Sequence, residues 1–115
     1  MKFVRFEDII AWQKSKELSL LIYREFKNCR DYGFRDQVQR AVISIMNNIA
    51  EGYERNSNKE FRNFLFISKG SSGEVRSMLY ISKDLGYISN PIFIDLKNRA
   101  FEVSKIISGL IKSLS

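Results

Sequence analysis

The chain has 115 residues, the usual size of one domain, and its 44% hydrophobic and 28% charged residues are typical of a soluble protein with a buried core. It has no histidine and one cysteine, which excludes an internal disulfide and removes the usual general base and the commonest metal ligand. The net charge of +6 is compatible with a nucleic-acid partner but is also found in proteins without one.

The first two helices are predicted from apolar residues that recur every three or four positions. The first pattern covers residues 8–29, from Ala11 to Cys29 along one face. Asp31-Tyr32-Gly33 is predicted to separate the first two helices, because Gly33 tolerates unusual backbone angles. The second helix is predicted over residues 34–54. Its core line is Val38, Val42, Ile45 and Ile49.

The third helix, predicted over residues 58–85, has clear signals at both ends. Ser57 and Glu60 form a capping box, in which each side chain accepts from the other residue's backbone amide. Gly86 can take the left-handed conformation that closes a helix.

The fourth helix is predicted over residues 91–114, with Asn90 as N-cap and Pro91 in its first turn. Its heptad line of apolar residues runs unbroken from Phe93 to Leu114.

Four helices joined by short loops must each run antiparallel to the next, because such loops cannot cross a bundle. We therefore expect an all-α, antiparallel up-down-up-down four-helix bundle that forms one domain over residues 1–115. The N-terminal residues lack the apolar stretch of a signal peptide, and no apolar run is long enough to span a bilayer. These features predict a cytoplasmic protein with no membrane partner.

A second apolar stripe runs along the third helix, beside its core line. It consists of Phe66, Gly70, Gly73, Ser77 and Tyr80. Each exposed glycine costs a helix about 1 kcal/mol relative to alanine, which suggests close approach by another backbone. The stripe could pack inside the same bundle. Alternatively, together with Trp12 and Tyr23 of the first helix, it could contact a second subunit, and this alternative predicts a homo-oligomer.

Polar residues interrupt the apolar pattern of the second and third helices. They are Arg40, Asn48, Glu51 and Glu74. Arg40 and Glu74 are expected to pair if the two helices are antiparallel. The set could be a structural network that fixes helix register, or it could line a site for a ligand or an RNA phosphate. As acid–base groups the two carboxylates would need a partner and a substrate site, and the sequence indicates neither.

Several short segments resemble, in order, a known family. They are Phe6-Glu7-Asp8, Ala11-Trp12-Gln13-Lys14, Asn48-Ile49-Ala50-Glu51-Gly52, Lys59-Glu60-Phe61, Lys69-Gly70-Ser71 and Lys83-Asp84-Leu85-Gly86-Tyr87-Ile88. The chain is similar to the four-helix-bundle proteins encoded by intervening sequences within bacterial 23S rRNA genes. Distant relatives include the accessory variability determinant of diversity-generating retroelements.

This resemblance implies a bundle that assembles into a ring, a pentamer, with a role linked to nucleic acid. The family often has proline where this chain has Met46. Because proline removes a backbone hydrogen bond and kinks a helix, the second helix is expected to be straighter here.

The leading functional hypothesis is a non-catalytic, oligomeric bundle that binds RNA or a nucleoprotein through basic surfaces. The candidate phosphate contacts are Lys59, Arg62, Lys69, Arg76, Lys97, Arg99 and Lys105. For any one of them, the alternative is an ordinary solvated side chain. The competing hypothesis is a protein-interaction scaffold without nucleic-acid contact. A helical ribonuclease that pairs arginine with histidine is disfavoured, since histidine is absent, and no catalytic residue, metal or cofactor is predicted.

Overall fold

A computed structural model describes residues 3–114, and this part of the chain is almost entirely helical. After a short 3-10 turn at Phe6–Asp8, four α-helices follow in order. They are α1 (Ile10–Glu25), α2 (Tyr32–Glu54), α3 (Asn58–Asp84) and α4 (Asn90–Ser113).

The helices form an elongated bundle with extents of 43 × 21 × 19 Å. Each helix packs against the two beside it, so that α1 and α3 lie diagonally opposite, as do α2 and α4. Short connections make successive helices antiparallel. The expected up-down-up-down four-helix bundle is confirmed.

The core is built from the predicted apolar lines. All four core residues predicted for α2 are fully buried, and on α4 the line from Phe93 to Ile107 is buried as well. On α3 the sequence predicts a core line of Phe61, Phe64, Ser68, Ser72, Val75, Leu79 and Ser82, and all but one of these residues are buried. The exception is Phe64, which is half-buried, whereas its neighbour Leu65 is fully buried. Within residues 3–114, no helix combines the length and the apolar character needed to cross a bilayer.

Two of the predicted helix boundaries are correct in mechanism. The Ser57 hydroxyl accepts from the Glu60 amide at the start of α3, and Gly86 has a φ of +77° just beyond its end. The reciprocal half of the capping box is wrong, however. The Glu60 carboxylate instead lies 3.5 Å from the Arg55 guanidinium.

Three other boundaries differ from the prediction. Tyr32 and Gly33 lie inside α2 and not between the helices. Asp31 caps α2 by accepting from the Phe34 amide, and the helix begins at Tyr32. The N-cap of α4 is Ser89 rather than Asn90, since the Ser89 hydroxyl accepts from the Ile92 amide.

The first helix is also shorter than residues 8–29. It ends at Glu25, and Phe26 closes it with a φ of −98° and a ψ of 6°. Cys29 therefore lies in the loop that follows.

Gly52 permits a close approach of α2 and α3. A Cβ added there would lie 2.6 Å from the Cβ of Phe64 and 3.1 Å from the ring of Phe61. Gly52 is buried, and α2 continues past it to Glu54. Its absent side chain lets α2 and α3 converge just before their short connection.

Buried serines tie α3 to both of its neighbours. The Ser68 hydroxyl donates to the Ile45 carbonyl on α2 over 2.7 Å. The Ser72 hydroxyl donates to the Ala100 carbonyl on α4 over 2.9 Å. Both hydroxyls are fully buried and satisfied, so they hold the register of the helices without a desolvation penalty.

Candidate nucleic-acid interface

A long groove runs between α3 and α4. The register of the two helices places Arg76 opposite Phe101 and Tyr80 opposite Lys97. Two adjoining depressions, of about 490 Å³ and 470 Å³, lie along this boundary and share Arg76 and Phe101 in their walls. They meet at these two residues and together follow the boundary between the two helices.

Six basic side chains follow the groove, and we call them the groove cations. Five of them line the depressions, namely Lys69 and Arg76 of α3 and Lys97, Lys105 and Lys112 of α4. The sixth, Lys83 of α3, lies beyond the depressions over the Phe93 ring of α4. None of the six forms an ion pair with a carboxylate of residues 3–114. No acidic residue lines either depression. The groove therefore concentrates positive charge.

Aromatic rings take the place of counter-ions. The guanidinium of Arg76 lies 5.2 Å from the Phe101 ring centre, and the Lys105 ammonium lies 5.6 Å from the same ring. Lys83 and Lys97 share the Phe93 ring at 4.6 Å and 5.3 Å. Ring faces attract cations by about 0.5–1 kcal/mol at exposed sites and leave their charge uncompensated. These contacts orient the cations yet keep them available to an anion.

The carboxylates of α4 lie on the side of the helix turned towards α1. Glu102 approaches Lys14 of α1 at 3.9 Å, and Asp95, seven residues earlier and so on the same side, holds Arg99 at 3.1 Å. The two flanks of α4 thus differ in charge: paired acids and bases face α1, and bases alone face the groove.

Four of the seven predicted phosphate contacts come together in this groove. These are Lys69, Arg76, Lys97 and Lys105. The other three line neither depression. Lys59 is exposed in the first turn of α3, and Arg99 is paired with Asp95. Arg62 lies 6.0 Å from the Phe66 ring centre, and its buried Nε has no hydrogen-bond partner in the described residues.

The predicted second stripe of α3 is exposed in this chain, so its packing inside the same bundle is wrong. Phe66 and Tyr80 are each 51% exposed, and a Cβ added at Gly70 or Gly73 would meet no atom within 4 Å. Contact with a second subunit stays a prediction.

The two surfaces predicted separately from the sequence overlap. Gly73, Ser77 and Tyr80, assigned to a subunit contact, line the groove together with Arg76. Trp12 and Tyr23 lie on α1, which packs against α2 and α4 and sits diagonally from α3. The two parts of the predicted contact therefore occupy different sides of the molecule.

The predicted polar network is not assembled. Among the described residues Arg40 and Glu74 form no ion pair, and both are exposed. Asn48 donates to the Ser44 carbonyl at 2.8 Å. Glu51 instead binds Arg55 at 2.8 Å.

The perturbed titrating groups lie away from the groove. Tyr87 lies between α3 and α4, and its hydroxyl donates over 2.7 Å to the carboxylate of Asp31, which lies between α1 and α2. This bond lowers the pKa of Asp31, and the hydrogen bond from the Phe34 amide lowers it further by a smaller amount. The bond between Tyr87 and Asp31 also raises the pKa of Tyr87. In residues 3–114 no three potential metal ligands come together. The carboxyl–phenol pair joins two loops.

Sequence reasoning missed Lys83, Lys112 and Phe101. A signal for α3 was present, because basic residues recur there at intervals of seven. They are Arg62, Lys69, Arg76 and Lys83. A period of seven places side chains on one helical face, so this row indicates a cationic stripe. The row on α4 is detectable only once the register with α3 is known.

The chain is similar to one family and to individual proteins. The family described as 23S rRNA-intervening sequence protein matches residues 7–109. The cysteine–tRNA ligase of Mycoplasmopsis pulmonis (strain UAB CTIP) is 26% identical over 98 residues, or 84% of this chain. The chain spans only 16% of the length of that ligase.

A solved structure has the same fold. It is a protein of unknown function from the S23 ribosomal protein family of Bacteroides thetaiotaomicron VPI-5482. It matches with a TM-score of 0.83 at 24% identity, over 89% of this chain and 98% of the other. With the family match extending from the 3-10 turn almost to the end of α4, the chain belongs to the family of 23S rRNA-intervening sequence proteins.

Proposed function

We propose that this protein is a non-catalytic, cytoplasmic bundle that binds RNA, with the groove between α3 and α4 as its phosphate-binding surface. One observation carries the proposal: five of the six groove cations line two adjoining depressions whose lining holds no carboxylate. Lysine and arginine contacts to phosphates release condensed counter-ions, which supplies most of the affinity in sequence-independent binding.

Two similarities support RNA as the anion. The family's description refers to 23S rRNA. A segment of a cysteine–tRNA ligase, an enzyme whose name states that it acts on tRNA, resembles 84% of this chain. A basic bundle within an RNA-handling enzyme would give that enzyme additional contacts to phosphates.

A binding role fits the chemistry of the groove better than catalysis. The groove offers ammonium and guanidinium groups, aromatic rings and hydroxyls. The chain has no histidine to transfer protons near neutral pH. Such a set can neutralise charge and stack on bases, and it holds no activated nucleophile.

A filter-binding titration with a hairpin RNA carrying a single-stranded tail tests the proposal. We expect the affinity to fall steeply as the salt concentration rises from about 50 to 200 mM, because phosphate contacts are lost to competing cations. Lys105→Gln should weaken binding and reduce the salt dependence. Affinity that does not change between low and moderate salt would exclude phosphate contacts.

The second candidate function is a protein-interaction scaffold that acts as a homo-oligomer. The exposed apolar side chains on the outer face of α3 favour it. Phe66, Ile67 and Ile81 are each about half exposed there, beside Gly70. Sedimentation at micromolar concentration should then show an assembly that Ile67→Glu disrupts. A monomer that captures RNA would exclude the scaffold, whereas an assembly that retains one protein and no RNA would favour it.

A further inference from the structure

The arrangement of the groove cations contains information about the shape of their partner. On α3 they are spaced seven residues apart, and on α4 eight and then seven. Along a helix, seven residues correspond to about 10 Å. Because the register places Tyr80 opposite Lys97 and Arg76 opposite Phe101, the two rows are offset by roughly half this interval. The cations therefore alternate between the walls in steps of about 5 Å.

This zigzag follows a straight line. The part of α4 from Lys97 to Lys112 is about 22 Å long, and both helices are uninterrupted over the groove. Walls contributed by two packed helices have axes only about 8–10 Å apart. The groove is thus narrow and straight, with cations contributed by the helices on both sides.

A duplex does not fit such a channel. Over about 22 Å, each backbone of a double helix winds through more than half a turn, so its phosphates leave the line of the groove. A single strand can straighten, and its successive phosphates can meet cations on alternate walls. Charge spacing therefore favours one strand over two.

The aromatic residues favour the same conclusion. Tyr80 and Phe101 are each 51% exposed within the groove. The bases of a single strand are free to stack on such rings or on an arginine plane, whereas paired bases are already stacked within the duplex. Each of the two rings lies opposite a cation, so one strand can use both.

From this geometry we infer that the groove binds one unpaired strand of RNA, with its phosphates on the groove cations and bases stacked at Tyr80 and Phe101. This inference rests on the proposed RNA-binding function and narrows its substrate to single strands. Contact with all six cations predicts a salt dependence, d log K/d log[salt], of about −4, since each phosphate contact to a single strand contributes about −0.7.

The test measures fluorescence anisotropy with an unstructured RNA of about twelve nucleotides, its complementary duplex and the single-stranded DNA of the same sequence. We expect the single-stranded RNA to bind at least about tenfold more tightly than the duplex. Arg76→Gln should reduce the magnitude of the salt slope by about 0.7. Arg99→Gln is the matched control, because it removes the same charge from the opposite flank of α4 and should leave the slope unchanged. Phe101→Ala should weaken single-strand binding about tenfold by removing a stacking surface.

The outcomes distinguish the single-strand inference from the proposed RNA-binding function. Equal or tighter binding of the duplex would overturn the single-strand inference and leave RNA binding intact. Equal losses of affinity in Arg76→Gln and Arg99→Gln would show that the groove is not the binding site. Tighter binding of the single-stranded DNA than of the single-stranded RNA would show that RNA is not the preferred strand. If neither RNA form binds at low salt, the proposed function falls as well. Circular dichroism of each variant confirms that the helices are retained.

Discussion

The glycines offer a sharp test of the packing, because alanine at two of them should change stability in opposite directions. At Gly52 the new methyl group would lie 2.6 Å from the Cβ of Phe64, an atom fixed to the α3 backbone. Overpacking of this kind costs up to about 3 kcal/mol. About 1 kcal/mol is recovered because alanine is the better helix former. The net loss for Gly52→Ala is then about 2 kcal/mol.

At Gly70 the same methyl group would meet no atom within 4 Å. Gly70→Ala should therefore gain about 1 kcal/mol from helix propensity alone. Urea unfolding followed by circular dichroism measures both changes in the free energy of unfolding. In thermal unfolding, each kcal/mol should shift the melting temperature by roughly 4 °C. The matched pair has identical chemistry, so only the local space differs.

The result that would refute this reasoning is a Gly52→Ala variant as stable as the wild type. Loss of stability in Gly70→Ala, measured at a concentration where the chain sediments as a monomer, would equally contradict the open space seen there. If Gly70 instead lies at a subunit contact, the variant should unfold at higher urea as a monomer but associate more weakly.

Three further substitutions probe the core, a bond between helices and a bond between loops. Leu79→Ala should lose about 2–5 kcal/mol, because its side chain is fully buried, and a loss below about 1 kcal/mol in urea unfolding would contradict that burial. Ser72→Ala should lose about 1 kcal/mol, and more than Ser82→Ala, because only the Ser72 hydroxyl bonds to another helix. Asp31→Asn should destabilise the protein at neutral pH. Since bonds to the Tyr87 hydroxyl and to an amide lower the pKa of Asp31, its stabilisation is present above the ordinary value of about 4 and is lost as pH falls through the lowered one. Unfolding measured across pH should show that the difference in the free energy of unfolding between the wild type and the variant disappears at acidic pH. A difference that does not change with pH would exclude the carboxylate's role.

The fold was predictable because apolar spacing reports directly on burial. Val38, Val42, Ile45 and Ile49 recur at helical intervals, and all four are fully buried. Helix ends were less predictable where several residues could cap. Ser89 and Asn90 are both good N-caps and adjacent in sequence, and only the backbone geometry selects Ser89.

The candidate site was only partly predictable, because a groove depends on the register of two helices. Lys69 and Lys105 are far apart in the sequence, and nothing in their spacing places them along the same depression. The expected pairing of Arg40 with Glu74 failed for the same reason. Antiparallel direction alone does not fix which residues of α2 and α3 face each other. From the sequence alone Gly52 is only a residue that weakens the second helix locally, and its role in packing becomes apparent only beside Phe64.

The hydroxyl of Ser72, which bonds to the Ala100 carbonyl beneath the groove, has a consequence for how an RNA would be received. Sliding α3 along α4 by one turn would break this fully buried bond. The distance between charges on the two walls is consequently set before any ligand arrives. On binding, conformational freedom is then lost mainly by the long lysine and arginine side chains and by the RNA strand, while the backbone of the groove loses little.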